Sequence, residues 1–383
     1  MLGALTAFAA ISIDMYLPSL PAIAAGFGAR PAAAQTTLAA FFAGLAIGQF
    51  FHGPASDRWG RRAPLLAGVG LYIGASIACA LAPSLTALVL ARFFQALGGC
   101  AGPVIARAIV RDRFDHRGSA RILSQLMLVM GVAPILAPLL GGLMLTLGGW
   151  RTIFWFLAAF GAVVGGWVLA TLKETRPRAV ADQARGETPL AAYAAILRRP
   201  TLIGYTLAGA FNSAALFAYL AASPALLIGV YRIPPTAFGW VFGINAAGLI
   251  GMSQVNAHLL RRHTPEAILI RSRPFSILFA AILAIDAFTG FGGMLGILVP
   301  LFLVLASFGL VGANTQAAGL SVDPSRAGSI SAVMGGASFA AAALVSALTS
   351  ALPGGPARSM ATVILLAILA STAALYGLAR PKG

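Results

Sequence analysis

Gly53-Pro54-Ala55-Ser56-Asp57-Arg58-Trp59-Gly60-Arg61-Arg62 separates two hydrophobic stretches, each long enough to cross a bilayer. Glycines bracket it and four of its ten residues are charged. A charge placed at mid-bilayer costs several kcal/mol, so this stretch reads as a tight loop on one membrane face. Short loops rich in Arg and Lys stay on the cytoplasmic side, so three arginines here also name the face. The orientation of the rest of the chain follows.

Composition points the same way. The 383 residues are 59% hydrophobic and 9% charged, against about 25% charged in a soluble domain. A polytopic membrane protein, whose lipid-facing surface replaces a polar shell, accounts for the difference. The formal charge of +16 does not argue for nucleic acid, because the cations lie in short segments between apolar runs rather than on one folded face. Cys79 and Cys100 fall in apolar segments without metal-ligand spacing and read as buried free thiols. Met1–Ile13 has neither a basic lead nor a small-residue cleavage site, and reads as a retained first span. The chain starts almost at that span, so a short cytoplasmic lead is expected ahead of it.

Twelve spans follow, at about 2–21, 34–54, 64–83, 85–107, 122–147, 152–172, 200–223, 236–257, 269–290, 294–316, 327–351 and 358–379. The polar interval from Lys173 to Arg199 divides them six from six. The expected organisation is therefore a six-helix bundle over 1–172, a cytoplasmic linker over 173–199 and a second six-helix bundle over 200–383. With both termini inside, 21 of the 26 cations fall on the cytoplasmic side and four outside, with Arg92 within a span. One span missed early would destroy that asymmetry. A degenerate echo of the opening loop, Asn256-Ala257-His258-Leu259-Leu260-Arg261-Arg262-His263-Thr264, sits at the matching place about 200 residues on, as two parallel six-span halves would require. Such halves make a transporter, with its binding site expected between them.

Charges inside the spans are the candidate chemistry. Asp14 lies about 18 Å along its span, and Arg92 lies roughly 10 Å below the opposite, outer surface, so the two are expected at one depth and facing each other. One reading is a proton-and-substrate site; the other is a static ion pair. Arg92, Gln95, Gly99 and Gly102 recur on one helix face, expected to turn toward a cavity. Pro134 and Pro138, flanked by Gly131, Gly141 and Gly142, make the fifth span a bent, closely packed helix, for which plain packing and a gating role weigh equally. Asn212, Tyr219 and Ser223 in the seventh span, Asn245, Gln254 and Asn256 in the eighth, and Asn314 and Gln316 in the tenth supply a neutral polar lining. Each alone reads as interhelical glue. Asp286, near the outer end of the ninth span, carries no assigned role. His52, His116, His258 and His263 are too scattered to share a metal. No nucleotide-binding glycine loop or Ser-His-Asp order is present, so no cofactor or metal is expected.

These residues carry a resemblance. The loop Gly53–Arg62 resembles the signature between the second and third helices of the major facilitator superfamily. Ala91-Arg92-Phe93-Phe94-Gln95-Ala96-Leu97-Gly98-Gly99 is similar to the fourth-helix signature of its drug:proton antiporters. Ala133-Pro134-Ile135-Leu136-Ala137-Pro138-Leu139-Leu140-Gly141-Gly142 is similar to their fifth-helix antiporter signature, with Ala137-Pro138 where Gly-Pro is usual. Asp14-Met15-Tyr16-Leu17-Pro18-Ser19-Leu20-Pro21 and Ser223-Pro224 narrow the likeness to the Bcr/CflA drug-resistance branch.

The resemblance implies an all-α fold of 12 transmembrane helices in two six-helix bundles with pseudo-two-fold symmetry. It implies proton-coupled efflux of small amphipathic drugs or metabolites across the bacterial inner membrane, by a monomer with no nucleic-acid partner and no enzymatic activity. Asp14 would carry the coupling proton and Arg92 would modulate it. Tyr16, Gln95, Asn212, Tyr219, Asn245 and Asn314 would line the substrate cavity. Gly53, Asp57, Arg58, Gly60, Arg61 and Arg62 would form the cytoplasmic gate loop, with Asp57 as its latch. Gly131, Pro134, Pro138, Gly141 and Gly142 would form the antiporter helix. The alternatives are a proton-coupled uptake symporter for a small metabolite and an intramembrane enzyme, for which the spans offer only Asp14 with Arg92.

Overall fold

The computed structural model describes residues 1–114, 116–176, 189–323 and 326–381. Among the described residues there is no strand, and twelve stretches are long and apolar enough to cross a membrane. The first is broken into α1 (Leu2–Asp14), a 3₁₀ turn (Leu17–Ser19) and α2 (Leu20–Gly26). The second and third are α3 (Pro31–Trp59) and α4 (Arg62–Ala80). The fourth is α5 (Leu85–Gly99) continued by α6 (Ala101–Arg113), and the fifth belongs to α7 (His116–Gly148). The sixth is α8 (Trp150–Thr171). After α9 (Pro189–Leu197) come α10 (Pro200–Pro224), α11 (Pro235–Leu259), α12 (Pro265–Thr289), α13 (Gly293–Val322), α14 (Ala327–Ala351) and α15 (Gly355–Ala374).

Local sequence sets these ends. Ser84 caps α5 by accepting from the Ala87 N–H, and Thr264 does the same for Ala267 in α12, where Pro265 fills the first turn without needing a donor. Gly290, at φ 70°, closes α12 in the left-handed region. The break in the first span also has a sequence cause. Pro18 has no N–H to offer the Asp14 carbonyl and Pro21 none for Leu17, so the ladder cannot run through.

Two compact units emerge from the contacts. The first holds residues 1–191 together with Pro235–Gly239, the second holds residues 192–234 and 240–383. In the second, Leu202, Tyr205, Leu269, Val311, Ile330 and Leu375 form a buried apolar core from five different elements. Ile196 of α9 joins that core, so the last part of the expected linker includes a short apolar helix packed against the second unit. Residues 177–188 of the expected linker lie outside the described residues.

The opening loop is shorter than the sequence suggested. α3 continues through Pro54 to Trp59, so Gly53–Trp59 is helix and the turn itself is Gly60-Arg61. Gly60 takes φ 92°, which a residue with a Cβ adopts only under strain. The polar stretch therefore continues α3 rather than forming a separate loop.

Candidate functional site

The break after Asp14 organises the polar interior of the first unit. Where α1 stops, the Tyr16 N–H turns to the Ile13 carbonyl, which leaves the Ser12 carbonyl without its helical donor. The Arg92 guanidinium fills that role: Nη2 donates to Ser12 O at 3.1 Å, while Nη1 donates to Gln95 Oε1 at 2.6 Å, one turn along α5. A cation on the carbonyl end of a helix is also favoured by the helix dipole. Gln95 Nε2 donates to Ser76 Oγ at 2.8 Å, Ser76 Oγ to the Tyr72 carbonyl at 2.7 Å, and the Tyr72 and Ser12 hydroxyls meet at 2.7 Å. α1, α4 and α5 are thereby tied into one polar chain.

The charge itself is sheltered by rings. The Arg92 Cζ lies 4.3 Å from the Tyr16 ring centroid and 4.0 Å from that of Phe41, with Phe154 at 5.7 Å. Such faces supply the electrostatic compensation that a desolvated guanidinium needs. Tyr16 is held in turn by a 2.6 Å bond between its hydroxyl and that of Thr37. Arg92, Gln95 and Tyr16 are all completely buried.

The expected ion pair is absent. Asp14 is 5% exposed and forms no ion pair with Arg92 or any other described residue, because the guanidinium donors go to a backbone carbonyl and a side-chain amide. The polar-and-small face of the fourth span is likewise closed. Gly99 packs on the Tyr72 ring and Gly102 on the Leu5 backbone, so this face serves helix contact inside the unit. The fifth span reaches the same place. A Cβ on Gly141 would strike the Met15 carbonyl oxygen, next to Asp14, and one on Gly142 would come within 2.6 Å of the Pro235 carbonyl oxygen. Pro138 is buried, while Gly131 and Pro134 are half-buried.

The basic loop builds a second cluster. Arg61, 2% exposed, donates from Nε to Asp112 Oδ2 at 2.7 Å, from Nη2 to Asp112 Oδ1 at 3.2 Å, and from Nη1 to Ser56 Oγ at 2.9 Å and to Asp57. Glu174, just past α8, accepts from the backbone N–H groups of Arg61 at 2.9 Å and Arg62 at 3.2 Å, and from those of Thr175 and Arg176. Arg176 Nη1 donates to the carbonyls of Asp57 at 2.9 Å and Arg58 at 2.6 Å, at the C-terminal end of α3. Burial opposes charge on Arg61, but its bonds to Asp112 and Asp57 outweigh that and hold it above the ordinary arginine value. Burial likewise resists charge on Glu174, yet four backbone N–H donors hold its carboxyl below the usual range. Arg58 is exposed, Arg62 reaches the Leu169 carbonyl at 3.0 Å, and Gly53 has open space around it.

In the second unit the neutral polar residues are paired across helices. Asn245 Nδ2 donates to the Tyr219 hydroxyl at 3.0 Å, and Tyr219 stacks on Phe242 at 5.6 Å. Asn314 Nδ2 donates to Asn256 Oδ1 at 2.6 Å, joining α13 to α11. Asn212 is 6% exposed and its Oδ1 has no hydrogen-bond partner among the described residues. Asp286 accepts from the Gly292 N–H at 2.6 Å, which fixes the turn after α12.

A membrane-spanning helical chain with this loop, this buried arginine and this proline-bearing fifth span matches one family description. The model of the Major Facilitator Superfamily aligns with residues 2–347. The chain belongs to the major facilitator superfamily. It is 32% identical to the "Uncharacterized MFS-type transporter YdgK" of Bacillus subtilis (strain 168), over 100% of this chain and 95% of that one. It is 28% identical to the "Bicyclomycin resistance protein homolog" of Haemophilus influenzae, over 98% and 94%. A crystal structure of a D-xylose-proton symporter superposes with a TM-score of 0.74 at 17% identity, over 96% of this chain and 94% of that one, a likeness of fold. The chain is thus a multi-pass membrane protein of a transporter family.

Asp112 and Glu174 carry no role in the sequence reading, yet both bind the Arg61 loop. The chain has only ten acids, and one in the last turn of α6 and another just past α8 are signals in themselves.

Proposed function

We propose that this superfamily member is a proton-coupled exporter of small amphipathic drugs or metabolites in the bacterial inner membrane, with both termini cytoplasmic, working by alternating access. The observation that supports it most is Asp14: a carboxyl at a helix break within a span, buried, without a cationic partner among the described residues, and beside the closely packed fifth span. An intramembrane carboxyl that no fixed cation holds can take up and release a proton as water reaches it from either side. The bicyclomycin-resistance name of one relative supports export and a drug-like cargo.

Arg92 has a changed role in this reading. Bound to Ser12 O and Gln95 under Tyr16 and Phe41, it fixes the end of α1, and so the place of Asp14, rather than neutralising the carboxylate. Arg61 with Asp57, Asp112 and Glu174 holds the cytoplasmic ends of α3, α4, α6 and α8 as one piece during the transport cycle. Tyr16, Gln95, Tyr219, Asn245 and Asn314 act first as joints between helices; Asn212, with its unused Oδ1, is the residue of that set best suited to meet cargo. The test is a drug-susceptibility panel, bicyclomycin included, in an efflux-deficient host. Expression of the chain should raise resistance to at least one compound, and Asp14→Asn at equal membrane abundance should not.

A further inference from the structure

We propose that the groove between α12 and α15 binds an anionic phospholipid, whose headgroup phosphate is held by Arg273. Arg273 is 1% exposed, and its Nε, Nη1 and Nη2 all lack a hydrogen-bond partner among the described residues. A guanidinium carries five donors and stays charged, so burying it with none of them satisfied is costly. The acids of the second unit do not serve it: Asp323 pairs with Arg199 and Arg326, Asp286 accepts from the Gly292 N–H, and Glu266 in the first turn of α12 forms no ion pair with it. The arrangement differs from Arg92, where Nη1 and Nη2 are both bonded, only Nε lacks a partner among the described residues, and rings cover the guanidinium faces.

The space beside Arg273 fits a phosphodiester with acyl chains. It is a groove of about 490 Å³ lined by Arg273, Ile277, Leu278, Ala281, Thr372 and Tyr376. Apart from the guanidinium its walls are almost wholly apolar, since the Thr372 hydroxyl already donates to the Ile368 carbonyl. From Arg273 to Ala281 the apolar wall rises about 12 Å along α12, and exposed Phe275, Leu278, Ile282 and Ile285 continue the lipid-facing stripe. Arg273 itself is about 12 Å from the start of α12, and helical side chains lean toward that end. Half-exposed Tyr376, donating to the Ile270 carbonyl at 3.4 Å, is the aromatic residue expected at that depth. Exposed Arg271, and Arg261 and Arg262 in the turn before α12, add positive potential at this end. Free phosphate would meet the charge but leave the apolar wall unused.

The test is native mass spectrometry of the delipidated full-length protein with phosphatidylglycerol, with phosphatidylcholine of the same chains, and with inorganic phosphate as competitor. Phosphatidylglycerol should be retained about fivefold or more over phosphatidylcholine, and Arg273→Gln should abolish that preference. Ala281→Trp, which fills the groove and keeps the guanidinium, should also lower phosphatidylglycerol retention, and it carries the test if Arg273→Gln does not fold. Equal retention of the two lipids by the wild type, an undiminished preference in either variant, or displacement of the lipid by equimolar inorganic phosphate would overturn the assignment.

Discussion

Arg92 is a buried cation satisfied by a carbonyl that a helix break released, and that dependence makes it hard to replace. Lysine keeps the charge but cannot span Ser12 O and Gln95 Oε1 with one planar fork while stacking between Tyr16 and Phe41. Arg92→Lys should therefore lower stability by about 1–3 kcal/mol and reduce transport together with it. Unfolding of the purified variant in detergent, followed by tryptophan fluorescence, checks the first; an unchanged unfolding midpoint would mean that the hydrogen bonds to α1 contribute little. Glu174 gives a pH-dependent counterpart. Its carboxyl is held below its ordinary value in the folded chain, so its contribution is full above about pH 4.3 and is lost as pH falls through the lower folded value. The wild type should lose stability over that acid range more steeply than Glu174→Gln, and parallel melting curves against pH would contradict the role given to this residue.

At the level of the elements, α7 touches the break after α1 through a glycine. Gly141→Val would push a side chain into the Met15 carbonyl and should cost roughly 1–3 kcal/mol or unseat Asp14, whereas Gly53→Ala, within α3 and in open space, should cost nothing and stabilise by up to about 1 kcal/mol. Expression and melting temperature of the pair separate the cases, and equal behaviour would remove the contact from the account. Much of this was readable in the chain. Bilayer thickness fixes how many apolar residues a span needs, so twelve spans could be counted, and Arg92 with Gln95 at three residues' separation announced a shared face. Other features depend on tertiary contacts. Pro18 and Pro21 encode the break after Asp14, but only the packed unit reveals that the freed Ser12 carbonyl captures Arg92 and so leaves the carboxylate unpaired. Charge alone puts Gly53–Trp59 in a loop, because hydropathy cannot tell a helix that runs on into water from one that ends at the interface. Asp112 and Glu174 each look like an ordinary loop acid until the chain brings both to Arg61.

For the whole molecule, the proposed orientation rests on the reading of the sequence that assigns 21 of its 26 cations to the cytoplasmic side. Cys79 and Cys100 are buried, so single cysteines placed at Arg262 and at Arg232 in a chain lacking both native thiols report the two faces. An impermeant maleimide added to intact cells should label Arg232→Cys and not Arg262→Cys; the reverse pattern would invert the topology. Alternating access then requires that Asp14 exchange protons with each side in turn. The most direct measurement is drug-dependent proton movement in proteoliposomes under an imposed pH gradient, comparing the wild type with Asp14→Asn of equal thermal stability. The account expects gradient-driven counter-transport by the wild type and none by the variant; counter-transport at the wild-type rate by Asp14→Asn would contradict it.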